Sequence, residues 1–99
     1  MVKEKEIICQ EALQRILEEE IPKAHFAIGK YKEDAICLQW DGKSWEVYYG
    51  FRNMHDQKAL YDTIIEACIG MINRLGSNNE RRIGLRDRFL NLVVADKIA

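Results

Sequence analysis

Two runs of alternating apolar and polar residues meet at Asp41-Gly42 and predict a β-hairpin over residues 35–51. An Asp-Gly pair between two such runs is the strongest short-range hairpin signal. A loop of two residues pairs Trp40 with Lys43, and a loop of four residues pairs Trp40 with Trp45. Either loop places the apolar sets of both strands on one face. We therefore predict a hairpin with one core face and one polar face.

An isolated hairpin is marginally stable in water, so its core face needs a cover. Residues 63–75 carry a wide apolar stripe at helical spacing and predict an amphipathic helix that supplies this cover. Thr63 and Glu66 fit a capping box at the start of the helix, with Asp62 as a competing cap one residue earlier. Gly76 follows the last periodic residue and predicts the end of the helix.

Three further elements precede this helix in the sequence. Residues 3–20 show helical periodicity that ends before Pro22, because the residue before a proline is disfavoured in the α region. Residues 24–31 alternate in polarity and predict a first strand. Residues 50–57 form an irregular stretch, and we expect it to bend into a short fourth strand at residues 58–61.

A third helix is predicted from about Leu85, although residues 92–94 are also compatible with a strand. The predicted order is α-β-β-β-(β)-α-α. This order indicates an α+β fold in which helices pack on one face of an antiparallel sheet of three to four strands. With 99 residues, the chain is long enough for one core, and we predict a single domain over residues 1–99.

Composition and charge narrow the functional classes. Apolar residues make up 47% of the chain and charged residues 31%, which is ordinary for a globular protein. The longest apolar runs are too short to span a membrane, and the first residues lack the pattern of a secretory signal, so we expect a cytoplasmic protein. Residues 1–72 carry a net charge of −4 and residues 73–99 a net charge of +3. Such an acidic body favours association with a basic partner.

The sequence shows no arrangement of residues that predicts catalysis. Cys9, Cys37 and Cys68 are widely spaced and lie on or beside apolar stripes, so we expect buried, reduced thiols. His25 and His55 have no acidic residue at a diagnostic offset, and no paired ligands predict a zinc site. No glycine-rich phosphate loop is present in the sequence. We therefore predict a protein that is not an enzyme and has no metal or cofactor.

Arginines at the start of the third predicted helix suggest an alternative function. Arg81, Arg82, Arg86 and Arg88 could meet the phosphates of a nucleic acid. The acidic body and a sequence pI of about 6.1 argue against a dedicated nucleic-acid binder. A small nucleic-acid-binding or regulatory adaptor that acts through these arginines remains the alternative hypothesis.

The hairpin and the helix after it carry a family resemblance. The matching positions are Leu38, Asp41, Gly42, Trp45, Val47, Tyr48 and Glu66-Ala67-Cys68. Over residues 35–75 the chain resembles small immunity proteins of bacterial polymorphic and contact-dependent growth inhibition toxin systems. The resemblance implies a protein that binds one cognate toxin domain, frequently a nuclease, and blocks its active site or the approach of its substrate.

We expect toxin contact on or beside the polar face of the hairpin, which we predict to be open on the Glu46 side. Tyr48 on this face is an amphipathic side chain of a type enriched at protein interfaces. Packing of Tyr48 under a terminal helix is the alternative. The predicted contact residues are Glu33, Asp34, Asp41, Glu46, Tyr48 and Arg52.

Overall fold

The computed structural model describes residues 4–95 and has the predicted α+β class. The elements are α1 (Glu4–Glu20), a 3₁₀ turn (Lys23–His25), β1 (Phe26–Ile28), β2 (Ile36–Trp40), β3 (Trp45–Phe51), β4 (Met54–Tyr61), α2 (Ile64–Leu75) and α3 (Asn79–Ala95). The predicted start of the first helix at residue 3 lies outside the described residues. The predicted first strand, residues 24–31, is shortened to three residues, because the 3₁₀ turn occupies its beginning and residues 29–31 leave the sheet.

The four strands form one sheet in the order β1-β2-β3-β4, and the sheet is mixed. β2, β3 and β4 pair antiparallel, whereas β1 pairs parallel with β2, with Phe26 opposite Ile36. The prediction of a purely antiparallel sheet was therefore wrong. Parallel pairing of consecutive strands requires the connecting chain to return across the sheet. Residues 29–35 make this return, and the alternation of residues along β1 contains no signal for strand direction.

The returning segment, residues 29–35, crosses the sheet face that the helices leave uncovered. Positive φ angles at Gly29 (85°) and Asp34 (57°) turn the chain at either end of this crossover. The backbone N–H of Lys32 lies 3.3 Å from the Cys37 sulfur. A Cβ atom on Gly50 would lie 2.1 Å from the carbonyl oxygen of Lys32. The crossover can therefore pack directly on β3, because Gly50 has no side chain.

The first hairpin turns through the four-residue loop. Trp40 pairs with Trp45 and Leu38 with Val47, which confirms the second of the two predicted registers. The Asp41 carboxylate accepts hydrogen bonds from the backbone N–H groups of Lys43 (2.8 Å) and Ser44 (2.7 Å). These two bonds hold the loop closed, as an aspartate at the start of a turn commonly does.

A second hairpin joins β3 to β4 through Arg52 and Asn53, where the sequence predicted only an irregular bend. Phe51 pairs with Met54, so the turn contains two residues. Arg52 (φ 50°) and Asn53 (φ 64°) both have the positive φ that a type I′ hairpin turn requires. β4 is consequently eight residues long, twice the predicted length, and a bulge at Gln57 (φ 51°) interrupts its register.

The helices pack on the sheet face that carries Trp45 and Val47, and together they enclose the main hydrophobic core. Thr63 caps α2 as predicted, because its hydroxyl accepts a hydrogen bond from the backbone N–H of Glu66. α2 approaches β4 closely, since a Cβ atom on Gly70 would lie within 2.6 Å of two atoms of the Tyr61 phenol. The predicted cover of the hairpin by the helix at residues 63–75 is confirmed.

α3 begins at Asn79, six residues before the predicted start, and continues as helix through residues 92–94. The Asn78 carboxamide accepts a hydrogen bond from the backbone N–H of Arg81 (2.8 Å), which stabilises this earlier start. Leu85, Phe89 and Val93 lie on the buried side of α3. None of the helices within residues 4–95 is long and apolar enough to cross a membrane.

Candidate functional site

The polar face of the first hairpin is closed, contrary to the prediction of an open face at Glu46. Glu46 is 3% exposed and Tyr48 is fully buried. Tyr48 joins Ala27, Ala35 and Cys37 in a second, smaller core on this face. We call this the outer face, because the helices lie on the other side of the sheet. For Tyr48 the physical reason is the parallel crossover, which the sequence did not indicate and whose residues Tyr31 and Ala35 pack against this side chain.

The buried Glu46 carboxylate is paired with two groups from β4. His55 Nδ1 lies 2.6 Å from Oε1, and Lys58 Nζ lies 3.9 Å from Oε2. Both partners reach the carboxylate from the more exposed edge of the sheet. Burial of an unpaired carboxylate would be strongly unfavourable, so these contacts allow Glu46 to be buried on the outer face of the sheet.

Tyr48 packs beneath the imidazole of His55 and beside Tyr31, so it does not lie under a terminal helix. The rings of Tyr48 and His55 are parallel within 2°, with centroids 3.8 Å apart. The Tyr48 hydroxyl donates a hydrogen bond to the side-chain oxygen of Gln39 (2.7 Å). Burial raises the pKa of Tyr48 well above its ordinary value, with Cys37 as the next cause. The phenol is therefore neutral and serves to pack this face.

Glu33 clamps the crossover onto the β3–β4 turn. Its carboxylate accepts hydrogen bonds from the Tyr31 hydroxyl and from the backbone N–H of Arg52, the latter at 2.7 Å. The backbone N–H of Asn53 donates to the Tyr31 hydroxyl (2.8 Å). The bond from Tyr31 is the first cause, and the bond from Arg52 the second, of a Glu33 pKa below its ordinary value. Glu33 is exposed and ionised at neutral pH, but it also has this structural role.

An exposed surface that combines aromatic and acidic groups forms where β2 begins and the β3–β4 hairpin turns. Phe51 and Met54 face each other across the turn and are 38% and 59% exposed. The rings of Tyr49 and Phe51 stack at 6.2 Å, and the Arg52 guanidinium lies 5.0 Å from the centre of the Phe51 ring. We call this surface the hairpin-end patch. It consists of Glu33, Asp34, Tyr49, Phe51, Arg52, Met54 and Asp56.

Three carboxylates surround the Tyr49 hydroxyl in the patch. The hydroxyl donates a hydrogen bond to Asp34 (3.1 Å), and this bond is the first cause of a raised Tyr49 pKa. The negative charges of Asp34, Glu33 and Asp56 add to the increase. The carboxylates outnumber the single guanidinium of Arg52, so the patch carries a formal net charge of −2. It can offer a partner apolar contact within a negative rim.

Of the six predicted contact residues, the structure brings Glu33, Asp34 and Arg52 together in this patch. Asp41 is exposed but lies at the opposite end of β3, and its carboxylate holds the first hairpin loop. Sequence reasoning missed four patch members: Tyr49, Phe51, Met54 and Asp56. A two-residue turn at Arg52-Asn53 could have identified these residues, because such a turn pairs Phe51 with Met54 and Tyr49 with Asp56.

The C-terminal arginines are partly committed to contacts within the chain. The Arg82 side chain donates to the carbonyl oxygen of Gly76 and to Asn79, both at 3.1 Å. Arg88 pairs with Glu19 and Glu20 at the end of α1. Two of the four arginines proposed for phosphate contact therefore already have acceptors within the protein.

The acidic excess of the N-terminal part is concentrated in α1. This helix contains six acidic and two basic residues, a net charge of −4.

Cys9, Cys37 and Cys68 are buried as reduced thiols. Among residues 4–95, no group of three or more side chains is arranged to hold a metal ion.

Comparison with known proteins found no matching family model, no similar curated protein and no similar solved structure.

Proposed function

We propose that this chain is a non-catalytic immunity protein that binds one cognate bacterial toxin domain and blocks its active site or the approach of its substrate. A nuclease is the toxin class that the sequence resemblance favours. The matching positions of that resemblance lie in the first hairpin and α2, which form the centre of the fold. These positions belong to the scaffold, and the proposed contact surface consists of other residues.

The observation that carries the proposal is the hairpin-end patch. Phe51 and Met54 are large, exposed apolar side chains on a turn that Glu33 holds in place. Exposed apolar groups inside a polar rim are typical of protein-binding sites. The carboxylates of the patch and the acidic surface of α1 favour a basic partner, because complementary charge increases the rate of encounter.

The size of the protein is compatible with this role. The chain exposes 6109 Å² of surface, and a standard interface covers about 800 Å² on each partner. One toxin domain would therefore cover about an eighth of the surface. An area of this size can include the whole patch and its surroundings.

Co-expression tests the proposal. The C-terminal domain encoded by the reading frame directly upstream is expressed in a bacterial host with and without this protein. We expect growth arrest with the toxin domain alone and normal growth with both. The two purified proteins should also co-elute as one complex in gel filtration.

Matched variants connect the protection to the patch. Phe51→Ala should weaken the complex at least tenfold, because it removes an exposed aromatic group at the centre of the patch. Ile83→Ala removes a similarly exposed apolar group (48%) from α3 and should leave the affinity unchanged. Continued growth arrest in the presence of the folded wild-type protein would refute the proposed function.

A further inference from the structure

β4 is one of the two edge strands of the sheet and exposes apolar side chains on both faces. Met54 pairs with Phe51 and lies on the side of the helices, where it is 59% exposed. Leu60 pairs with Glu46 and lies on the outer face, where it is 56% exposed. The bulge at Gln57 shifts the alternation between them, so two residues with even numbers lie on opposite faces. A partner on a single face could cover only one of them.

The middle of the β4 edge is modified in a way that disfavours strand addition by a partner. Gln57 has a positive φ angle of 51° and interrupts the regular row of backbone groups. Its carbonyl oxygen already accepts a hydrogen bond from Arg74 of α2 at 2.6 Å. Bulges of this kind protect sheet edges against pairing with another chain. Recognition of β4 therefore depends on its side chains more than on its main chain.

The outer face and the turn of this edge are held in place by contacts within the protein. On the outer face, His55 is fixed by its stacking on Tyr48 and its contact with Glu46. At the turn, the backbone N–H groups of Arg52 and Asn53 are bound by the Glu33–Tyr31 pair. Groups that are ordered in advance lose less entropy on binding, which favours affinity.

The charges differ between the two faces. On the helix side, the negative charge of Asp56 on β4 acts on the Tyr49 hydroxyl, and Asp34 at the end of the crossover accepts a hydrogen bond from the same hydroxyl, so two carboxylates contribute negative charge there. On the outer face, the charge of Lys58 is opposed by the buried Glu46, and Leu60 supplies the exposed apolar group. A complementary partner would present cationic groups to the first face and apolar groups to the second.

From these observations we propose that the toxin domain clasps β4 in a cleft, with a cationic wall against Met54 and Asp56 and an apolar wall against Leu60. This inference rests on the proposed function and specifies its binding mode. Leu60 lies six positions after Met54, which is about 20 Å along a strand. A standard patch of about 800 Å² is roughly 28 Å across, so one partner can reach both residues.

Two matched substitutions test the clasp. Met54→Ser and Leu60→Ser each shorten a side chain of nearly equal exposure, one on each face of the sheet. Ile83→Ser on α3 is the control for loss of an exposed apolar side chain. Affinity of each variant for the purified upstream toxin domain is measured by calorimetry. Thermal unfolding confirms that each variant is folded, which is expected because all three side chains lie at the surface.

We expect Met54→Ser and Leu60→Ser each to weaken binding at least tenfold, with Ile83→Ser within twofold of the wild type. Loss of affinity on one face alone would overturn the clasp and indicate flat docking, while the immunity function would stand. Unchanged affinity in both variants would also overturn it. If the wild-type protein does not bind the toxin domain, the proposed function fails and the clasp with it.

Solvent exposure of methyl groups gives a second, independent readout. In the complex with the toxin domain, a soluble paramagnetic agent should relax the methyl signals of both Met54 and Leu60 less than in the isolated protein. The methyl signals of Ile83 should relax equally in both states. Protection of one of the two β4 methyl signals without the other would contradict contact on both faces.

Discussion

The imidazole Nδ1 of His55 lies 2.6 Å from Oε1 of Glu46, and this contact joins an exposed group to a buried one. The histidine side chain is 37% exposed and the glutamate side chain 4%. The two residues depend on this contact unequally. An exposed histidine can form hydrogen bonds with water, whereas a buried carboxylate has few alternative partners.

This asymmetry predicts unequal effects of two substitutions on stability. His55→Ala leaves the Glu46 carboxylate with Lys58 at 3.9 Å and removes the ring stacked on Tyr48. We expect a loss of about 3 kcal/mol in the free energy of unfolding, as for other buried charges that lose a partner. Glu46→Gln keeps a hydrogen-bond acceptor without the charge and should cost about 1 kcal/mol. Urea denaturation measures the free energy of unfolding of both variants. A larger loss for Glu46→Gln than for His55→Ala would contradict the unequal dependence of the two residues on their contact.

Two glycine substitutions should change stability in opposite directions. A Cβ atom at Gly50 would lie 2.1 Å from the Lys32 carbonyl oxygen, which belongs to the backbone and cannot easily move away. Gly50→Ala should therefore destabilise the protein by about 2 kcal/mol or more, as overpacking does. Gly84 lies in α3, where an added Cβ would point into open space. Gly84→Ala should stabilise the protein by up to about 1 kcal/mol, because alanine favours helix. Thermal unfolding distinguishes the two effects by sign.

Local patterns predicted the elements whose signals lie close together in the sequence. The Asp41-Gly42 turn, the parity of the first hairpin and the Thr63 cap each depend on contacts within a few residues. The direction of β1 depends instead on the path of residues 29–35, whose contacts with Gly50 are distant in sequence. Hydrophobic periodicity carries no information about such contacts, so the parallel pairing was missed.

The lack of information about contacts distant in sequence also explains why the predicted binding surface includes the buried residues Glu46 and Tyr48. The alternation of residues correctly places Glu46 and Tyr48 on the same face of the sheet, but it does not show what covers that face. Because the crossover packs on Tyr48, this residue of the predicted polar face becomes part of the second core. Glu33, Asp34 and Arg52 were predicted because they lie beside the polar face of the hairpin. They are exposed because they belong to turns and connections, which lie at the surface whatever the topology.

Protonation of Glu33 should loosen the clamp on the second hairpin turn. Hydrogen bonds from Tyr31 and from the Arg52 backbone lower its folded-state pKa below the ordinary value of 4.5. A lowered pKa means that its stabilising effect is complete above pH 4.5 and is lost as the pH falls through the lower folded-state value. The NMR amide shift of Arg52 should therefore titrate with a midpoint below 4.5.

A Glu33→Gln variant is the control for this titration, because it keeps an acceptor but does not ionise. The acid transition of the Arg52 amide should disappear in this variant, while the transition of the Lys43 amide, which reports Asp41, should remain. An Arg52 midpoint at or above 4.5 in the wild-type protein would contradict the clamp.

The three cysteines should not react in the folded protein. Burial is the first cause of a raised pKa for Cys9, Cys37 and Cys68, and the thiolate is the reactive form. At pH 8, a thiol reagent such as Ellman's reagent should modify no cysteine within minutes, and all three after denaturation in guanidinium. Rapid modification of one thiol in the native protein would show that its surroundings open to solvent.

Neutralising the acidic rim should slow the encounter with the proposed toxin domain without disturbing the fold. Asparagine tolerates the positive φ angle of Asp34 and still accepts a hydrogen bond from Tyr49. The double variant Asp34→Asn, Asp56→Asn should lower the association rate by about fivefold at low ionic strength, and the difference should shrink above about 0.3 M salt. Asp87→Asn on α3 removes an exposed carboxylate outside the patch and should have a smaller effect. Stopped-flow measurements across a salt series test this, and equal rates for the double variant and the wild type at low salt would exclude the rim from electrostatic attraction.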